Sequence, residues 1–204
     1  MARCGHKTDH YLAGYKSRLF SGLRGTVLEI GPGAGANLRH LPKKDIRWIG
    51  IEPNPYMNQH LEKEARRLRM KIDLRYGTAE DLPLESGAVD FAISTLVLCS
   101  VVDQRCALRE VFRVLKPGGR LLFIEHVAAP SGSLLRRVQT AIKPLWRRMG
   151  DGCNPDRQTR VALEEAGFAE LAVEEFAAPL PIVRPHIAGH ATKADSSSPG
   201  GLTG

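Results

Sequence analysis

Val27-Leu28-Glu29-Ile30-Gly31-Pro32-Gly33-Ala34-Gly35-Ala36-Asn37 is the stretch that decides the fold. An apolar run containing β-branched residues meets three glycines at alternate positions, and a helical pattern follows. This reads as a buried parallel strand, a tight loop and a helix N-terminus. The glycines supply backbone angles closed to side chains and let a ligand press against bare peptide. The helix N-terminus offers unpaired N–H groups and a positive dipole end to an anionic group. About 20 residues further on, Trp48-Ile49-Gly50-Ile51 ends in Glu52, placed to accept both hydroxyls of a ribose. Together these pieces predict a nucleoside site.

The choice of nucleoside turns on the residues around the glycines. Gly31, Gly33 and Ala36 satisfy the dinucleotide pattern G-x-G-x-x-G/A, so an NAD site and a purely structural glycine turn stand as alternatives. Three features favour S-adenosylmethionine. Glu29 sits at the strand end, where a carboxylate repels a pyrophosphate and suits a sulfonium or ammonium. The third glycine comes early, giving E-x-G-x-G-x-G, and Pro53 and Pro55 follow the ribose acid in I-E-P-N-P.

The chain of 204 residues suffices for one α/β domain with a full core. No apolar run approaches the roughly 20 residues that cross a bilayer, and the N-terminus lacks an apolar signal core, so a cytoplasmic protein is expected. Cys4, Cys99, Cys106 and Cys153 lack C-x-x-C spacing, which predicts neither a metal site nor a disulfide framework. The net charge of +7 is moderate, and no aromatic-basic nucleic-acid motif accompanies it, so no nucleic-acid partner is expected.

Along the chain, residues 1–7 read as frayed. Tyr11, Leu12, Tyr15, Leu19, Phe20 and Leu23 recur at helical spacing, so 1–23 form an N-terminal covering segment that either shields the sheet or closes over the cofactor. The catalytic domain is expected over 24–193. A short helix ends near Pro42, strands are expected over 71–76, 89–94 and 120–125, and Asp103 caps a helix running to about Leu115. Leu134, Val138, Ile142, Leu145 and Met149 fall on one helical face, with Arg136, Arg137, Lys143, Arg147 and Arg148 crowding the rest. Pro144 favours a bent lid or two short helices there. The region 130–154 is therefore expected to cap the substrate, with a weak contact between 134–149 and an anionic membrane surface as the alternative. A Ser/Gly-rich tail, 194–204, is expected to be disordered.

With L-E-I-G-P-G-A-G, I-E-P-N-P, A-E-D-L-P, D-F-A-I-S and E-V-F-R-V-L-K-P-G-G in order between about Arg24 and Leu122, the chain resembles the class I S-adenosylmethionine-dependent methyltransferases. That resemblance implies a Rossmann-like α/β fold: a seven-stranded, mostly parallel sheet in the order 3-2-1-4-5-7-6, helices on both faces and the last strand antiparallel. T-L-V-L-C-S-V, E-H-V-A-A, D-G-C-N and V-R-P-H-I-x-G-x-A-x-K look like the methyltransferase-like protein 7 family, or more broadly the type 11 methyltransferases. The narrower resemblance implies methylation of alkyl thiols. The family's N-terminal hydrophobic anchor has no counterpart in this sequence, so its membrane attachment is not carried over.

Methyl transfer from a sulfonium is an in-line displacement, so the protein has chiefly to align the nucleophile and exclude water. A thiol with an ordinary pKa of about 8.5 is already partly thiolate near neutrality and needs only a weak base. His126, just past the fifth strand, is the candidate base or orienting group, and Asp151 the second candidate catalytic residue. Cys99, Cys153 and His186 are candidates for the substrate wall. For the cofactor, Gly31, Gly33 and Gly35 permit close approach, Glu29 faces the ammonium and Glu52 the ribose, while Thr78, Ala79, Glu80, Thr95 and Leu96 border the adenine. The expected function is methylation of a small-molecule acceptor, a thiol first and an O-, N- or C-nucleophile of a lipid, quinone or natural product second. An oxidoreductase or a non-catalytic nucleoside-binding module stands further off. Oligomeric state is not legible.

Overall fold

Alternation of side chains along the central strands gives the sheet two buried faces, and each face recruits its own helices. The computed structural model describes residues 2–195, with side chains from residue 10 onward. On one face Leu28, Ile30, Ile49, Ile51, Ala92, Leu121 and Phe123 meet Ala107, Leu108, Val111 and Val114 of one helix and Ala162 and Leu163 of another. On the other face the intervening residues Val27, Trp48, Ile93 and Leu122 meet Phe20, Leu61 and Ala65. Strands covered on both faces read as near-continuous apolar runs, which is why the sequence around residue 28 looks uniformly hydrophobic.

The elements are α1 (Ala2–Phe20), β1 (Gly25–Ile30), a 3₁₀ turn (Leu38–His40), β2 (Ile46–Glu52), α2 (Pro55–Leu68), β3 (Asp73–Tyr76), β4 (Val89–Thr95), α3 (Gln104–Val114), β5 (Leu115–His126), α4 (Leu134–Met149), α5 (Thr159–Glu164), β6 (Glu170–Ala177) and β7 (Pro185–Thr192). The seven strands lie in the order 3-2-1-4-5-7-6. β3, β2, β1, β4 and β5 are mutually parallel, and β7 runs antiparallel to both β5 and β6. The expected order and the antiparallel last strand are thus both present. The C-terminal ends of β1, β2 and β4 come together where the strand order reverses, the usual place for a ligand in an open α/β sheet.

Local chemistry explains the boundaries. Asn54 accepts the Tyr56 amide at 3.1 Å to cap α2, whose first residue is Pro55. Asp103 accepts the Cys106 amide at 3.0 Å to start α3, as its position before an apolar run predicts.

Three expectations are corrected. The chain is helical from Ala2, so residues 2–7 belong to α1. The helix expected after the glycine loop is only the 3₁₀ turn Leu38–His40. No helix dipole therefore points at a ligand there, and the loop amides themselves must do the binding. The segment 134–149 is one unbroken helix with Pro144 inside it. The carbonyl of Thr140, which Pro144 leaves without an amide, belongs to an exposed residue and can be met by water. Of the tail expected to be disordered, 196–204 lie outside the described residues. Among the described residues, no helix is long and apolar enough to cross a membrane.

α4 leaves most of its apolar stripe exposed. Leu134, Leu145 and Met149 are 77%, 63% and 64% exposed, whereas Gln139 is fully buried. The Gln139 amide is the anchor: its Oε1 accepts the Ala129 amide at 2.8 Å and its Nε2 donates to the Ile182 carbonyl at 2.9 Å. Truncating it strands the buried Ala129 amide and the partly buried Ile182 carbonyl. Gln139→Ala is expected to cost about 2 kcal/mol in urea unfolding. Amide exchange should quicken in α4 and around Ala129 while the central strands stay protected; uniform loss of protection across the sheet would contradict this anchoring role.

Candidate active site

The site is a cavity of about 640 Å³ at the C-terminal ends of β1, β2 and β4. Gly31 (φ 56°) and Gly33 (φ 54°) form its floor in the left-handed region that favours glycine. A Cβ on Gly33 would project into open space, and one on Gly31 would stand 2.8 Å from Val97. The loop thus offers bare peptide on one side and leaves no room for a side chain on the other.

Glu52 closes the end of β2 and lines the same cavity. Its Oε2 accepts the Gly33 amide at 2.8 Å and its Oε1 the Asn54 amide at 2.9 Å. Each carboxylate oxygen has lone-pair capacity left for a further donor, so the residue is pre-aimed to receive a pair of hydroxyls. Thr78, Ala79 and Glu80 line the wall, and Glu80 Oε1 accepts the Val102 amide at 2.7 Å. Leu96, Val97, Ser100 and Val101, on the turn after β4, supply the opposite wall, and Asp151 stands at the rim. Bare amides, an acceptor pair and apolar patches from Ile51, Met57, Ala79 and Leu96 suit an adenosyl group with a polar tail.

The turn after β4 takes its shape from a residue whose role went unread in the sequence. Glu125 is completely buried; its Oε1 accepts the Ser94 hydroxyl at 2.6 Å and the Val97 and Leu98 amides at 3.1 and 3.2 Å. Burial pushes its carboxyl above the ordinary carboxylate range. Leu96, at φ 58°, bends between these contacts.

Three expected cofactor residues lie elsewhere. Glu29 shares the face of Val27 and Trp48, and is buried: it accepts Asn37 Nδ2 and Trp48 Nε1, each at 2.9 Å. Its carboxyl is pushed up to about 7, first by burial, against the hydrogen bonds of Trp48 and Asn37 and the charge of buried Lys16, with Glu52 adding to the rise. It is therefore a brace beneath the loop. Gly35 turns at φ 84° against Leu38 and Leu61, so its missing side chain serves packing. Thr95 accepts Asn37 Nδ2 at 3.0 Å and joins the same brace. Neither Glu29, Gly35 nor Thr95 lines the cavity.

The candidate catalytic and substrate residues divide in two. His126, Cys99 and Cys153 meet, although no spacing in the sequence relates them and no cysteine cluster was expected. His126 is buried, with Nε2 2.9 Å from Cys153 Sγ and Nδ1 buried without a partner. Trp146 Nε1 donates to Cys153 Sγ at 3.3 Å. Asn154 donates to the Cys99 carbonyl from its backbone at 2.9 Å and its side chain at 3.1 Å, binding the two cysteine loops together. The hydrogen bond between the thiols holds Cys99 well above its ordinary value, helped by burial, and pulls Cys153 down to about 4, helped by His126 and Trp146. Neither cysteine borders the cavity directly, but their neighbours Ser100 and Asp151 do. Of the expected substrate cap 130–154, Asp151 alone lines it.

His186 lies opposite His126 across the β5–β7 ladder, ring centroids 6.1 Å apart, but its hydrogen bonds go elsewhere. Its Nε2 is 3.0 Å from the Tyr11 hydroxyl, and its Nδ1 is 3.2 Å from the Arg184 carbonyl. Burial lowers it to about 4, so it is a neutral bridge between α1 and the last strand, beside a separate cavity of about 590 Å³.

The family described as a methyltransferase domain matches residues 28–123. Thiol S-methyltransferase TMT1A of Homo sapiens is 39% identical over 198 residues, covering 91% of this chain and 81% of that protein. Thiol S-methyltransferase TMT1B of Homo sapiens is also 39% identical, covering 95% and 84%. A geranyl diphosphate methyltransferase solved in complex with SAM superposes with a TM-score of 0.73 at 14% identity, covering 93% of this chain and 87% of that one.

The brace beneath the glycine loop should announce itself in the pH dependence of stability. A carboxyl raised from about 4.5 to about 7 in the fold contributes stability that is fully present below its unfolded pKa and is lost as pH rises through its folded one. Between pH 5 and 8 the wild type should lose on the order of 3 kcal/mol from Glu29. Glu29→Gln should flatten that slope in urea melts taken across the range, whatever its absolute stability. An unchanged slope would show that Glu29 is not the responsible group.

Proposed function

This chain belongs to the methyltransferase family that includes the thiol S-methyltransferases TMT1A and TMT1B, and on that premise we propose that it transfers the methyl group of S-adenosylmethionine to the sulfur of a small thiol. The observation that carries the reading is the pairing of bare glycine amides with a doubly accepting Glu52 in one cavity. When bound, S-adenosylmethionine supplies an electrophilic methyl carbon on a positively charged sulfur.

The residues divide the remaining work. Gly31 and Gly33 bring backbone against the donor's tail, Glu52 receives the ribose hydroxyls, and Thr78, Ala79 and Leu96 flank the base. Glu125 holds the Leu96–Leu98 turn, and so fixes the wall along which the acceptor lies. The acceptor sulfur must shed its proton to solvent and present a lone pair along the line of the bond that breaks. The new C–S bond uses that pair; the electrons of the broken bond remain on the departing sulfur, which becomes a neutral thioether. His126 does not line the cavity and its Nε2 faces Cys153 Sγ, so it does not touch the acceptor's proton directly.

A panel of alkyl thiols, phenols and amines offered with labelled methyl donor tests the acceptor class. Thiols are expected to be methylated at least tenfold faster than the others; preference for a phenol or amine would replace the thiol reading. By calorimetry Glu52→Ala should weaken S-adenosylmethionine at least tenfold, or about 1.4 kcal/mol. Unchanged affinity would remove Glu52 from the ribose.

A further inference from the structure

Three soft donors from three separate segments converge behind the cavity wall. Cys99 comes from the turn after β4, His126 from the end of β5 and Cys153 from the loop after α4, and their ligand atoms all lie within 4.8 Å of one another. Packing alone does not call for such a meeting: a buried histidine facing two thiols leaves weak donors and acceptors where ordinary side chains would fill space. The scaffold around them is fixed. His126 sits in the β5–β7 ladder opposite His186, Asn154 ties the two cysteine loops together, and Trp146 directs its N–H at Cys153 Sγ.

We propose that Cys99 Sγ, His126 Nε2 and Cys153 Sγ bind a zinc ion and leave its fourth position for an exogenous thiolate. Two thiolates and an imidazole are a soft donor set suited to zinc, and three protein ligands with one open position is the arrangement of reactive zinc sites. Zinc–sulfur bonds of about 2.3 Å and a zinc–nitrogen bond of about 2.1 Å put tetrahedral neighbours roughly 3.6 Å apart. His126 Nε2 and Cys153 Sγ, now 2.9 Å apart, have to separate by roughly 0.7 Å, and Cys153 is the half-buried member of the three. The Trp146 N–H then serves as an outer partner of a metal-bound sulfur, the usual way such thiolates are steadied. The two cysteines bind as thiolates, any remaining thiol proton passing to solvent, so two negative sulfurs balance the ion.

To be used, the open position must communicate with the cavity past the cysteine loops. Ser100 and Asp151, close to the two cysteines in the chain, line the cavity that also holds Gly31 and Gly33. A thiol entering there binds the ion as thiolate, loses its proton to solvent and keeps a lone pair for attack. This last step rests on the methyl-transfer reading above; metal binding does not.

Cobalt(II), added to the full-length protein after chelator treatment and without methyl donor, provides the test. One equivalent should produce thiolate-to-metal charge-transfer absorption and the intense visible bands of a tetrahedral ion, both bleached by zinc. Cys153→Ser, at the half-exposed position, should weaken binding at least tenfold and diminish the charge-transfer band while cooperative unfolding is retained. Cys99→Ser should do the same where it folds. Absence of a thiolate band in the wild type, or an unaltered band in Cys153→Ser, would overturn the site. Adding a small alkyl thiol to the cobalt form should shift the visible bands. No shift, in a protein that still methylates that thiol, would overturn the open position while leaving the methyl-transfer reading intact.

Discussion

A single buried carboxylate governs the geometry of the active site. Glu125 gathers the Ser94 hydroxyl and the Val97 and Leu98 amides, so the chain leaving β4 must turn back across the end of β5. That turn places Leu96 and Val97 on the cavity and Cys99 beside His126. A charged group in such a place is expensive unless several donors meet it, and here three donors share one of its oxygens. The cavity wall and the Cys99–His126–Cys153 cluster are therefore both tied to one buried side chain.

The fold was legible where the signal is local. The apolar strand, the glycines at 31 and 33 and the acid at 52 lie within a short reach of one another, and each has a meaning of its own. The same locality misled for Glu29 and Gly35. Sequence shows that a carboxylate ends a strand, yet its direction depends on Trp48 and Asn37, which approach from other elements. The cluster of Cys99, His126 and Cys153 was illegible as a cluster because its spacings, 27 residues twice, carry no motif and only the sheet order joins them. Glu125 and Asn154 escaped notice for a related reason. Their importance lies in the backbone groups they satisfy, and an unfolded sequence does not show which backbone groups will be buried.

α4 teaches a different lesson about periodicity. Its apolar stripe is as regular as any in the chain, and the ordinary inference would bury it. The fold instead buries Gln139, because the loops at Ala129 and Ile182 present an unpaired donor and an unpaired acceptor that one amide side chain can meet. Leaving such groups unsatisfied is costly enough to compete with the burial of a few aliphatic side chains. The result is an outward-facing strip of leucines and a methionine flanked by arginines.

β7 lies between β5 and β6, although it is the last of the seven strands in chain order among the described residues. Until it emerges from the ribosome, β6 has no neighbour in the sheet and β5 carries an open hydrogen-bonding edge. Lys193, just beyond it, reaches back to the Phe112 and Leu115 carbonyls at the end of α3, so the final clasp is made by the same late segment. Completion of this sheet accordingly waits for β7. Before it joins, β3, β2, β1, β4 and β5 can pair with one another while the flank that β7 and β6 will cover stays open.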